Sequence, residues 1–526
     1  MKPVNTAIID FALTTMPVPL EIVEKAKCAW TTDAIPFPSV APLRTSPRHM
    51  LRFIASILVL NVLGIAKLNF AWSSSETDSF YHKVTHVKDL CIGANNISTS
   101  YAGHIGLESD SERSPKRSFF WYFEAENDAS NAPIILSFGG GPGSGGLANP
   151  LFGQGPCSAS PNGLVPSPHR WTQHHNLIAL DHPIGVGFSY GSHVNSSRTA
   201  AYDVYDFLQK FFVLFPDLAG NKFVVSSGSY GGVYVPHVAT VIHEQNLLVA
   251  RGRGRPGAIP IHLDALILSN PFTNPSTHFR WLLQYRCMDH HVFNSTDCTR
   301  LYAELPTCLD SIDLAHERPT VENRRTAWMV CNTLNNAETH GTVFEDIRRQ
   351  CTPDSDDPAA CHPEFGWVAN VLDDPATKAA LGLPLDLHYQ AINMEVNAEF
   401  AAAGDMIQQH HLLYPPLLAA GIRVLHYVGA QDANCAWPGV FSFLKLLPTP
   451  FQSAFVSAPD VPWPEEGVAT VRSVGSGAGN MTYILLLRAG HFTVKDQPAL
   501  AKAIVERWVA NEPFLTRGGV HVDHAL

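Results

Sequence analysis

Six short apolar runs recur along the chain, each closing near Gly, Asn, Asp or Ser. They are Ala132–Phe138 (APIILSF), Asn176–Leu180 (NLIAL), Lys222–Ser226 (KFVVS), Leu263–Ser269 (LDALILS), Arg423–Val428 (RVLHYV) and Tyr483–Leu487 (YILLL). Runs of this length predict strands buried on both faces, as in a sheet covered by helices. Thr199–Phe215 has apolar residues at helical spacing between two of these runs, and Val233–Val241 predicts a helix soon after KFVVS. Such alternation of strand and helix predicts an α/β fold with a central, mostly parallel sheet and helices on both faces. It breaks at about 271–405, where strand signals are poor and polar residues frequent. That stretch predicts an insertion capping one edge of the sheet.

One longer apolar stretch, 53–66, precedes the sheet. Arg44, Arg48 and Arg52 lie ahead of it, and the small residues Gly64 and Ala66 close it. This is the layout of a signal peptide, and it is short of the roughly 20 residues a spanning helix needs. The layout fits a translation start at Met50. The expected plan is therefore residues 1–49 as an uncertain extension and 50–72 as a signal peptide. If uncleaved, the latter would be a type II anchor with its arginines on the cytoplasmic side, the one route to a membrane. Residues 76–526 then form one domain with the cap at 271–405.

Cysteine usage supports an oxidising compartment. Of ten cysteines, Cys28 lies ahead of the signal, and Cys287, Cys298, Cys308, Cys331, Cys351 and Cys361 crowd into one segment. Such a cluster predicts disulfides stapling a loop-rich insertion, with the pairing left open. No C-x-x-C pair suggests zinc. Asn96, Asn195, Asn294 and Asn480 open glycosylation sequons, a number that chance alone could give. Lys and Arg total 36 against 47 acids, a net charge of −11 with no basic stripe, so nucleic acid is not an expected partner. The single basic run, Arg251–Arg255, predicts an exposed loop, with a processing site as the lesser reading.

Candidate chemistry clusters at strand ends. Ser229 lies in Ser227-Gly-Ser-Tyr-Gly-Gly232, between KFVVS and a predicted helix. That is the strand–turn–helix context of a nucleophile elbow, whose crowding demands small neighbours. Asp432 follows RVLHYV and His491 follows YILLL, in the order nucleophile, acid, base. A serine hydroxyl attacks well only when an imidazole takes its proton and a carboxylate orients the imidazole. Gly139-Gly-Gly-Pro-Gly143 follows APIILSF and could offer N–H groups to an oxyanion. A phosphate loop is excluded, since no Gly-Lys-Ser/Thr follows and Pro142 lacks a donor.

Across roughly residues 80–515 the chain resembles the serine carboxypeptidase family. The matching blocks are Gly140-Gly-Pro-Gly143, Leu180-Asp-His-Pro-Ile-Gly-Val-Gly-Phe-Ser-Tyr190 and Ser229-Tyr-Gly-Gly232. Tyr427-Val-Gly-Ala-Gln-Asp432 with Cys435 and Trp437, and Ala489-Gly-His491 through Asp496-Gln-Pro498, complete the set. The resemblance implies an α/β-hydrolase fold with a disulfide-rich cap and a Ser229–Asp432–His491 triad. It also implies an oxyanion hole from the N–H groups of Gly141 and Tyr230. Gly139, Gly140, Gly228, Cys435 and Phe492 fall at substrate-binding positions. Cys435 matches an unpaired cysteine near the leaving side, and no metal or organic cofactor is implied.

The departures concern the substrate. The family reads a peptide's free carboxylate with one asparagine and two glutamates, and the matching positions here are Gly139, Gly228 and Gly153. Ser144 also replaces a cysteine of the family pattern. Hydrogen bonds to a charged group contribute about 1.5–3 kcal/mol each, so losing two would weaken carboxylate binding by hundreds-fold or more. The expected function is a serine-type carboxypeptidase-like hydrolase. An acyltransferase or esterase acting on a small molecule is the alternative, and a non-catalytic binding protein the minor one. Without the glutamates, activity is expected to fall only as His491 protonates, near its ordinary value of about 6.5.

Overall fold

The computed structural model describes residues 80–88, 90–91, 99–351 and 361–514. The predicted extension, the signal segment and Asn96 lie outside the described residues.

The six apolar runs form the middle of a single sheet. Its strands are β1 (His82–Val87), β2 (Ser100–Gly106), β3 (Lys116–Phe123), β4 (Ile134–Phe138) and β5 (Asn176–Leu180). Then come β6 (Phe223–Gly228), β7 (Leu263–Ser269), β8 (Arg423–Gly429), β9 (Ala469–Val474) and β10 (Met481–Leu486). Across the sheet the order of these ten is β1-β2-β3-β5-β4-β6-β7-β8-β10-β9, with the two-residue strands Val461–Pro462 and Tyr190–Gly191 added beside β9 and β3. β5, β4, β6, β7, β8 and β10 pair in parallel, and the flanks pair antiparallel.

Side chains alternate across each strand. Ile134, Leu136 and Phe138 of β4, with Phe223 and Val225 of β6, enter the core on one face. That face is covered by α1 (Ser197–Leu214) and α2 (Gly231–Ala250). Ile135 and Val224 enter the opposite core, beneath the helix Pro498–Val509. With both faces buried, the central strands carry unbroken apolar runs, which is why they stand out in the sequence.

The cap departs from expectation in one respect: it is helical rather than loop-rich. α3 (Pro275–Leu283), α4 (Ser295–Glu317) and α5 (Val321–Asn332) enclose a third core that includes Leu301, Cys308, Ile312, Cys331 and Ile407. Among the described residues four disulfides join Cys91–Cys157, Cys287–Cys298, Cys308–Cys331 and Cys351–Cys361. Arg251, Arg253 and Arg255 are exposed, as the sequence predicts. Among the described residues no helix is long and apolar enough to cross a membrane.

Candidate active site

Ser229 occupies the turn between β6 and α2 with φ +57°, a left-handed conformation costing a non-glycine residue roughly 1–2 kcal/mol. Neighbouring backbone holds it there. Its N–H donates to Ser269 O (3.0 Å), and its carbonyl accepts from the N–H groups of Gly232 and Phe272 (2.9 Å each). A Cβ at Gly231 would stand 2.2 Å from Ser227 Oγ, and one at Gly232 2.3 Å from Phe272 O. The small residues after the serine are therefore a steric requirement of the turn.

Asp432, wholly buried beyond β8, is saturated with donors. Oδ1 accepts the N–H groups of Asn434 (2.7 Å) and Cys435 (3.1 Å), and Oδ2 accepts Asn270 Nδ2 (2.6 Å). His491 Nδ1 lies 2.7 Å from the same Oδ2. With a carboxylate as its partner, Nδ1 is the donor, which leaves Nε2 as the basic nitrogen. Burial lowers the His491 pKa, but Asp432, its hydrogen bond and the nearby Glu345 outweigh that, and the net shift is upward. The value near 6.5 expected from sequence is therefore too low.

The glycine loop lies directly on Ser229. A Cβ at Gly140 would stand 2.9 Å from Ser229 Cβ and 3.0 Å from Tyr230 N. Tyr230 is fixed at its far end, where its hydroxyl donates to buried Asp405 Oδ2 at 2.8 Å.

Two cavities meet at Gly141 and Ser229. The larger, about 290 Å³, is lined by Gly139, Gly140, Gly228, His491 and Phe492, all residues singled out from sequence. The smaller, about 120 Å³, is lined by Tyr230, Phe272, Phe279, Trp328, Met406 and Cys435. Cys435 lines the smaller cavity, whereas Gly139 and Gly228 line the larger. It is buried and unpaired, and burial, with Asp432 and Glu345 nearby, keeps its thiol protonated. Gly153 is buried, and its φ of +123° places it in a turn that favours glycine.

Several residues of this site were missed in the sequence. Glu345 and His362 line the larger cavity, with His362 Nε2 3.1 Å from Glu345 Oε2 and its Nδ1 3.6 Å from Glu364 Oε1. Burial opposes protonation of His362, but hydrogen bonds and charge from Glu345 and Glu364 prevail, and its pKa rises to about 9. Both residues come from the cap, where no strand-end rule points to them. Gln154 adjoins the position at which the resemblance looked for a glutamate, and that adjacency was the available signal. Outside the cavity, Asn195 and Asn294 are exposed and Asn480 is half-buried. Among the described residues no group of three or more His, Cys, Asp or Glu side chains could hold a metal ion.

The profile of the serine carboxypeptidase family matches residues 93–511. Carboxypeptidase Y of Komagataella phaffii is 30% identical over 427 residues, covering 79% of this chain and 77% of that protein. Carboxypeptidase Y of Saccharomyces cerevisiae is 28% identical over 453 residues, covering 84% and 81%. Among solved structures, Kex1Δp, a prohormone-processing carboxypeptidase from Saccharomyces cerevisiae, superposes with a TM-score of 0.69 at 21% identity. That match covers 83% of this chain and 96% of Kex1Δp, and it shows a shared α/β-hydrolase fold. With its profile matched over most of its length, this chain belongs to the serine carboxypeptidase family and is a hydrolase of that type.

Proposed function

We propose that the protein releases C-terminal residues from peptides through an acyl-enzyme on Ser229, as a serine-type carboxypeptidase. The observation that carries this reading is the meeting of two cavities at Ser229, beside a hydrogen-bonded Asp432–His491 pair. A substrate spanning Ser229 places its acyl side in the smaller cavity and its leaving group in the larger. His491 Nε2 takes the Ser229 proton as the hydroxyl attacks the scissile carbonyl. The N–H groups of Gly141 and Tyr230 receive the oxyanion. His491 then returns the proton to the leaving amine, and water repeats the sequence to free the acyl group.

A second reading is favoured by Gly139, Gly153 and Gly228, which leave the leaving-side cavity without the family's carboxylate-binding side chains. On that reading the same acyl-enzyme serves an esterase or an acyltransferase acting on a small molecule. In either case the enzyme acts in the secretory pathway, in a lumen or outside the cell. Support comes from the apolar segment at 53–66, the disulfides, and the exposed sequons at Asn195 and Asn294, where glycans are expected.

Hydrolysis of a blocked dipeptide with a free C-terminus, beside its methyl ester, tests the choice. Cleavage of the free acid with release of the terminal amino acid supports the carboxypeptidase. Turnover of the ester alone would move the assignment to esterase or acyl-transfer chemistry.

A further inference from the structure

The larger cavity holds a buried polar side chain whose donor is unused. Asn149 Nδ2 donates to Phe138 O and to Ser137 Oγ, both at 3.0 Å. Ser137 Oγ, accepting there, gives its single proton to Gln154 Oε1 at 2.9 Å. This chain of donors fixes the Gln154 amide: its oxygen is engaged, and its NH₂ must be the other end. Among the described residues no acceptor lies against Nε2. Gln154 is only 7% exposed, and it lines the cavity together with Gly139 and Gly228. Nε2 is not sealed from solvent but opens onto the cavity, which is where a ligand oxygen could complete it.

The cations of the same wall are already committed. Both nitrogens of His362 face carboxylates, and Lys495 Nζ lies between Glu364 Oε1 (3.4 Å) and Asp496 Oδ1 (3.3 Å). We propose that Gln154 is the leaving-side anchor of this enzyme, its amide donating to a carbonyl or carboxylate oxygen of the substrate's departing group. This rests on the assignment of the larger cavity to the leaving group. An amide has no proton to gain or lose, so the anchor works alike at acid and neutral pH. It also takes an uncharged amide or ester terminus as well as a free acid. The pocket therefore reads an oxygen acceptor rather than a negative charge.

The test uses benzyloxycarbonyl-alanyl-phenylalanine as free acid, amide and methyl ester. Rates are measured from pH 5 to 8.5 and expressed per site titrated with a fluorophosphonate. In the wild type the ratio of kcat/KM for acid and amide is expected to stay flat with pH. Gln154→Met is expected to raise KM about tenfold for all three substrates with kcat little changed, the weight of one hydrogen bond. Gln154→Glu keeps the Ser137 bond and is expected to make KM for the free acid and the ester rise with pH, most steeply for the free acid, as its own carboxyl ionises and loses its donor. Unchanged KM values in Gln154→Met, or a wild-type free-acid profile in Gln154→Glu, would overturn the proposal. If the wild type is labelled yet cleaves none of the substrates, the carboxypeptidase reading fails on its own. Gln154 is then read through protection of Ser229 from labelling by phenylalaninamide. Protection lost in Gln154→Met supports the anchor, and equal protection in both proteins rejects it.

Discussion

At Gly139 a Cβ would stand 2.3 Å from Ser144 O and 2.8 Å from Ser144 C, so backbone closes the space where the family carries its asparagine. Gly153 has φ +123°. At Gly228 the nearest obstacle, Ser269 O, is 3.0 Å away, a contact that a small shift relieves. The three positions have therefore diverged to different degrees. Gly139→Asn is expected to cost about 1–3 kcal/mol of stability by overpacking, without creating a preference for free acids. A thermal midpoint equal to that of the wild type would show that the 144 loop gives way freely. His491 supplies a second expectation at this scale. With His491 as the proposed general base the neutral imidazole is the active form, and since its pKa is raised, kcat/KM should fall on the acid side with an apparent pKa above about 6.5. A pH–rate profile with a maximum near pH 5 would contradict it. The proposed triad positions could be singled out because strand ends and chain order select them. Gln154, Glu345 and His362 were not, because nothing in their local spacing marks them.

The element that most directly steadies the site belongs to the cap. Phe344–Ile347 runs between the Asp432 and His491 loops and bonds to both. Ala433 N–H donates to Phe344 O (2.7 Å), Ile347 N–H to Gln431 O (3.0 Å) and His491 N–H to Glu345 O (2.7 Å). The Cys351–Cys361 disulfide returns the chain to His362, which meets Glu345 again. The pKa of His362 is raised to about 9 in the folded protein. Its pairing therefore stabilises fully below about pH 6.5, and the contribution is lost as pH rises through about 9. His362→Gln is expected to lower the urea midpoint at pH 6 and to leave it near wild type at pH 10. An equal loss at both would show that charge is not the cause. The cap's helices were hidden in the sequence for a specific reason. Buried Leu301, Cys308, Ile312 and Ala315 have helical spacing in α4, but Pro306 interrupts it, and the cysteines suggested stapled loops. The central strands, buried on both faces, offered no such ambiguity.

Among the described residues, several buried or half-buried imidazoles are held without charge. Burial lowers the pKa of His104, His175 and His411 to about 4, and of His182, His278 and His426 to about 3. The unfolded chain protonates these groups near pH 6.5, while the folded chain must wait for far lower pH. Stability is therefore lost progressively as pH falls from about 6.5 towards 4. His362, His491, Asp181 and Asp203, whose pKa values are raised, oppose this, but they are fewer. The thermal midpoint is expected to be several degrees lower at pH 4.5 than at pH 7.5, and a higher midpoint at pH 4.5 would contradict the reading. This fits a site whose leaving-side anchor is uncharged: neither the fold nor the pocket is arranged for acid.

The acyl-enzyme on Ser229 is tested most directly by mass-spectrometric mapping of a fluorophosphonate adduct. One adduct is expected, on the peptide containing Ser229, absent in Ser229→Ala and slowed by orders of magnitude in His491→Gln. No adduct, or one on another serine that persists in Ser229→Ala, would contradict the account and leave the fold as a binding scaffold.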